Sequence, residues 1–174
     1  MTLSDNRDPI VAFFSGGRDI RGRTLEAILS WEDDQLEEVH DYIQWVFPTR
    51  QPSGVNPMAP TVTTETVRAF EDDPGLRDRL RRAFDRMLTF YGLRRAQGGI
   101  EIDPERFAAR SGGWLHPGNH NHLRLTRIID SLATLGLRDE AMALQQCLLG
   151  QICAGPGRGR VSARTAEFWR RAAD

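Results

Sequence analysis

Residues 73–92 read DPGLRDRLRRAFDRMLTFYG, and this stretch decides the fold class. Asp73 followed by Pro74 is an N-cap with proline at the first helical position, where its missing N–H is not needed. Leu76, Leu80, Ala83, Phe84, Met87, Leu88 and Tyr91 recur at helical spacing and make one apolar face. Gly92 stands where a left-handed C-cap residue belongs. The other face carries Asp78, Arg81, Arg82 and Asp85. Acid and base alternate there, so it reads as a solvated face with weak ion pairs, not a nucleic-acid surface.

Working outward, the same grammar repeats. Upstream, Thr63 caps a short helix to about Asp72. Residues 48–63 form an irregular connection rich in Pro, Gly, Ser and Asn, with Val55, Met58 and Val62 as its expected anchors. Asp33 or Asp34 starts a helix running through Val46 and stopped by Pro48. Its stripe is Leu36, Val39, Ile43, Val46 and Phe47. Tyr42 and Trp45 lie towards the other side, which predicts a central helix. Thr24 caps a short helix over Leu25–Trp31. Ile10–Phe14 is too short an apolar run for a helix and predicts an extended strand or tail. Downstream, Leu93–Ile102 predicts a turn or hairpin around Gly98-Gly99. Asp103-Pro104 starts a helix ended by Gly112-Gly113. A helix follows from Asn119 through Leu135, closed by Gly136, and another from about Asp139 to Ala154. The resulting expectation is an all-α, single compact multi-helix domain with irregular Pro/Gly-rich connections. Residues 1–12 are a flexible N-terminus and 13–154 the helical domain. Residues 155–174 are a linker and a C-terminal amphipathic helix, capped by Ser162, that docks through Phe168 and Trp169.

The chain has 174 residues, with 23 basic and 24 acidic side chains. It is long enough to bury a core without disulfides or metals. Near-neutral charge argues against a generic polyanion binder, so no nucleic-acid partner is expected. Every basic residue is arginine, which points to a GC-rich, bacterial source. Cys147 and Cys153 are six apart on one predicted helix, on separated faces, and should not bridge each other. The N-terminal MTLSDNRDPI lacks a signal-peptide pattern, and no apolar run reaches the ~18 residues of a membrane span. Together these predict a cytoplasmic protein with no membrane insertion.

Three segments resemble the conserved domain of the opioid growth factor receptor family. The first is Leu36-Glu37 with residues 40–48, HDYIQWVFP, close to the family string LExxHxYIQWLFP. The second is residues 87–92, MLTFYG. The third is residues 120–129, HNHLRLTRII, continued by Ser131-Leu132 and Leu135-Gly136. Asp19-x-x-Gly22-Arg23-x-Leu25 and Asn56-x-x-Ala59-Pro60 also fit, so the resemblance covers roughly Phe13 to Leu149. It implies an all-helical domain and a family label of receptor for an enkephalin growth-inhibiting peptide. Animal members carry the domain near the N-terminus of a longer chain and associate with the nucleus and membranes. Only the domain and a short helical tail are expected here. The resemblance supplies no catalytic residues.

Chemistry-bearing residues gather in two of these segments. His120, Arg124, Arg127 and Ser131 fall on one face of the Asn119 helix, away from its stripe of Leu125, Ile128, Ile129, Leu132 and Leu135. Free N–H groups at that helix start would add positive potential, which suits a carboxylate or phosphate. The alternative is internal pairing with Glu37, Asp41 or another buried acid. On the second helix, Glu37, His40 and Gln44 form a polar ridge beside Trp45, and His40 can act as acid, base or ligand. The ligand-binding candidates are thus His40, Gln44, Trp45, His120, Asn121, Arg124 and Arg127. His116, His120 and His122 invite a metal reading, but His120 and His122 point almost oppositely on a helix, so no metal and no cofactor is expected. Ser15-Gly16-Gly17 lacks the rest of a phosphate loop. The first expectation is a non-catalytic binding domain for an anionic small molecule or peptide, with its pocket between the His40 and Asn119 helices. A small-molecule enzyme using His40 with an Arg124/Arg127 anion clamp is the second. A structural module forming a homodimer through the Trp169 tail is the third.

Overall fold

A computed structural model describes residues 7–174. The first six, part of the expected flexible N-terminus, lie outside the described residues. Ten α-helices and one two-stranded sheet occur among those described, in two compact units divided after Leu80. No helix among them is long and apolar enough to cross a membrane.

The first unit holds α1 (Pro9–Phe14), α2 (Leu25–Leu29), α3 (Asp33–Glu38), α4 (Ile43–Val46), α5 (Thr64–Asp72) and the start of α6 (Pro74–Tyr91). The apolar run expected to be extended is therefore a helix. Asp8 explains it: its carboxylate accepts from the Ile10 and Val11 N–H groups and Pro9 occupies the first position. Ile10, Phe13 and Phe14 are fully buried. Phe14 meets Phe70 of α5 edge-on at 5.2 Å, and Phe13 meets Trp45 at 5.6 Å. Asp8 also accepts from Thr66, inside the Thr63–Thr66 capping box of α5.

The predicted Leu36–Val46 helix is broken. Val39 leaves helical geometry with ψ 126°, and α4 resumes at Ile43. Two physical reasons account for the break. Asp41 forms ion pairs with Arg21 at 3.1 Å and Arg23 at 2.8 Å, tying this point to an upstream loop. That loop is fixed in turn by Asp19, whose buried carboxylate takes the Arg21 and Arg23 N–H groups and the Arg23 side chain. Every residue from Tyr42 to Thr49 is also buried, so the segment plunges through core instead of lying with one wet face. Burial opposes ionisation of Asp41, but Arg23 and Arg21 hold its carboxyl below the usual carboxylate range.

The irregular connection closes on itself, with the Val62 N–H donating to the Thr49 carbonyl at 3.0 Å. Val62 is buried, but the other two expected anchors protrude: Val55 is 88% and Met58 71% exposed. Local turns shape this loop, with Ser53 accepting from Asn56 and the Asn56 carbonyl from Ala59.

The second unit contains the rest of α6, β1 (Leu93–Ala96), β2 (Gly99–Ile102), α7 (Pro104–Trp114), α8 (Asn121–Thr134), α9 (Arg138–Cys147), a π-helical turn over Leu148–Cys153, and α10 (Ala163–Arg171). The hairpin pairs antiparallel with Arg94 opposite Glu101. Gln151 stands in for a third strand, accepting from the Ile102 N–H and donating to the Ile100 carbonyl. Helix α7 runs straight through Gly112-Gly113, correcting the predicted stop. Trp114 at its end is 1% exposed, and burying that ring outweighs the weak helix propensity of the glycines. Gly92 does turn left-handed, at φ 75°, and a Cβ there would meet the α7 backbone at Phe107. Helix α8 packs against α9 and α10, and α9 also covers β2. Cys147 and Cys153 are unbridged. Burial, with a further push from Glu101, raises the Cys147 thiol to about 12.

Candidate functional site

The start of α8 is where the sequence concentrates its polar residues, and here it differs most from expectation. Asn119 caps it: its Oδ1 accepts from the Asn121 N–H at 2.8 Å, and its carbonyl accepts from His122 at 3.1 Å. The His120 carbonyl accepts from Leu123 and Arg124. All four N–H groups of the first turn are thus occupied, and the free donors expected to face an anion are absent.

Asn121 is fully buried and sits at the centre of a polar cluster. Its Oδ1 accepts from the Tyr91 hydroxyl at 3.1 Å and lies 3.5 Å from Arg124 Nη1. Its Nδ2 lies 3.3 Å from His120 Nε2. Arg124 is 5% exposed. Arg127, one turn on, is half-buried; burial lowers its pKa, with Asp130 opposing.

His122 serves a different purpose. Its Nε2 lies 3.1 Å from the Trp114 carbonyl, so Nε2 carries a proton. Trp114 donates from Nε1 to the Tyr91 carbonyl, and Trp169 donates from Nε1 to the His122 carbonyl. The imidazole meets both indoles edge-on, at 6.5 Å and 5.7 Å. One relay therefore joins α6, α7, α8 and α10. Trp169 is fully buried within its own chain.

Burial pushes the His122 pKa below its ordinary value, against the Trp114 hydrogen bond. The unfolded chain therefore binds this proton more tightly than the folded one. The His122 contribution is complete above the unfolded value of about 6.5 and is lost as pH falls through the folded value. Urea midpoints measured at descending pH should drop over this range in the wild type and drop less in His122→Gln. A midpoint that climbs on acidification would contradict the assignment.

The three groups of the Glu37–His40–Gln44 ridge are separated by the helix break. Glu37 lies on α3, exposed His40 on the connecting turn, and buried Gln44 on α4. Gln44 Oε1 and Trp45 Nε1 are buried without a hydrogen-bond partner among the described residues, as is Ser131 Oγ in the second unit. The structure thus brings His120, Asn121 and Arg124 together, places Arg127 on the same helix, and puts His40, Gln44 and Trp45 in the other unit. Asp41, one expected internal partner of Arg124, is paired with Arg21 and Arg23 instead. Among the described residues no group of three His, Cys, Asp or Glu side chains is placed to hold a metal ion. Sequence reasoning missed Tyr91, Trp114 and His122 as one relay. Tyr91 read only as a stripe residue, and Trp114 stood beyond an expected helix stop.

Comparison with known proteins places this geometry among relatives. The opioid growth factor receptor conserved region matches residues 20–170. The rat opioid growth factor receptor is 44% identical over 122 residues, and the human protein 41% over 121, each alignment covering 67% of this chain. A mouse opioid growth factor receptor-like protein 1 is 36% identical over 124 residues, 66% of this chain. The matched part is 20%, 18% and 25% of these relatives' own lengths, respectively. No solved structure matches the chain.

Proposed function

Since the chain belongs to the opioid growth factor receptor conserved-region family, we propose that it is a non-catalytic binding domain of that type, which engages an anionic group through Arg124 and Arg127. The observation that carries this reading is the pair of guanidinium groups one turn apart on α8, one buried and one half-buried. Two guanidinium groups one turn apart present paired forks that match the oxygens of an anionic group. Three polar side chains argue for recognition, not turnover. Asn121 and His122 are engaged in hydrogen bonds that join helices, and His40 stands exposed on a turn. The receptor names of the relatives are consistent with a binding role, and cytoplasmic residence belongs to the same proposal.

The test is a paired thermal melt of wild type and Arg124→Gln across a phosphate and carboxylate series at fixed ionic strength. A ligand bound only by the folded state stabilises it, by about 2.7 kcal/mol at a hundredfold excess over Kd. The expected result is an anion-dependent rise in Tm in the wild type that shrinks in Arg124→Gln. Equal anion responses in the two proteins would reject the site, whatever the baseline shift.

A further inference from the structure

A second feature of the α6–α10 unit lies away from the α8 arginines. The hairpin and the start of α9 form the two walls of an open cleft of about 500 Å³, within the usual range for a small-molecule site. Three guanidinium groups reach it: Arg81 from α6, Arg95 from β1 and Arg138 from α9. Ile100 and Ala143 supply an apolar floor, and Gly99 and Gly136 leave the rim clear of side chains.

The three cations are not equivalent. Arg81 donates from Nε to Glu140 at 2.8 Å. Arg95 donates from Nε to Asp85 at 2.7 Å, and its guanidinium lies 5.4 Å from the Phe84 ring centre. That combination fixes Arg95 by its Nε edge and leaves its two terminal nitrogens without a partner among the described residues. The Arg138 side chain makes no hydrogen bond or ion pair with any described residue, and nor does that of the neighbouring Asp139. The cleft therefore offers a held guanidinium fork and a second, exposed one over an apolar floor. Paired guanidinium forks match the oxygens of a doubly charged oxyanion.

We propose that this cleft binds a small dianionic ligand, a phosphate or a dicarboxylate, through Arg95 and Arg138, with Arg81 held by Glu140 as the fixed wall. The site lies in the open, so binding weakens as added salt screens it. Asp139 opposes the ligand and limits affinity.

The experiment titrates ¹⁵N-labelled full chain separately with inorganic phosphate and with malonate at fixed ionic strength, following the amides of Gly99, Gly136 and Ala143. Saturable shifts at these three positions with either anion are expected. Arg138→Ala should weaken the apparent Kd about tenfold, or about 1.4 kcal/mol, and Asp139→Asn should tighten it. Arg138 is exposed and touches no described partner, so its substitution leaves the fold intact. Ala143→Phe fills the floor and should abolish saturation without altering a charge. Shifts linear in concentration with both anions, or an Arg138→Ala affinity equal to wild type, would overturn the site. Arg138→Ala leaves the Arg124-dependent melt response in place, so either site can fail without the other.

Discussion

Trp169→Ala should lower stability by about 3–5 kcal/mol, the range for truncating a large buried aromatic, read as a fall in the urea midpoint followed by circular dichroism. The indole is fully buried, and it anchors α10, the last helix of the chain, by three separate contacts. Its Nε1 donates to the His122 carbonyl at 3.0 Å, its face meets the His122 ring, and its own carbonyl accepts from Gln145 at 2.9 Å. Substitution to alanine removes the first two and leaves a cavity beside His122. Trp169→Phe separates the terms. The His122 carbonyl also accepts from the Thr126 hydroxyl at 3.1 Å, so loss of the indole N–H does not leave it unsatisfied. Phenylalanine should therefore cost much less than alanine, because the desolvation penalty of an orphaned acceptor does not arise. Water admitted by the alanine variant should also return the His122 pKa towards its ordinary value and flatten the acid-side loss of stability. Equal destabilisation by alanine and phenylalanine would show that the hydrogen bond, not the packing, holds α10.

How much of this was legible in the sequence depends on whether local signals agreed with burial. Where capping signals and a one-sided stripe coincide, as in Asp73–Gly92, the structure follows the reading closely. Where the apolar residues ran around the helix, the reading failed. Residues 42–48 bury almost every side chain, and periodicity cannot distinguish one long helix from two short pieces entering a core. The break itself depends on Asp41 meeting Arg21 and Arg23, contacts across about twenty positions that no local rule reports. Ile10–Phe14 is helical because Asp8-Pro9 starts it, the same Asp-Pro signal that opens the helices after Asp73 and Asp103. At the candidate site, the polar residues were identifiable by type, but their use was not. Asn119 capping its own helix and Asn121 turning inward to Tyr91 are tertiary facts. Helical spacing alone placed His120 and Arg124 on one face but could not separate exposed His120 from buried Arg124.

Asn121→Leu should destabilise the fold by about 2–5 kcal/mol, the sum expected when two buried polar partners lose their acceptor. Tyr91 is 1% and Arg124 5% exposed, and both direct a donor at Asn121 Oδ1. A leucine of similar size restores neither bond. The cost should be partly reversible, since Tyr91→Phe removes one of the two donors that lose the Asn121 acceptor. The double variant should therefore be more stable than the sum of the single effects, a coupling of about 0.5–3 kcal/mol in a double-mutant cycle. Asn121→Asp offers a sharper comparison: it keeps the acceptor for Tyr91 and places a carboxylate within reach of the Arg124 guanidinium. It should cost less than leucine above the titration range of that carboxyl and lose the advantage on acidification, when its charge is removed. The same variant bears on ligand recognition. A carboxylate at position 121 would place negative charge beside the guanidinium assigned to the proposed anionic ligand and repel that ligand, so the anion-dependent rise in Tm should shrink in Asn121→Asp as it does in Arg124→Gln. Retention of the full wild-type response there, with the fold intact by circular dichroism, would separate Arg124 from the ligand and leave the Asn121 cluster with a purely structural role.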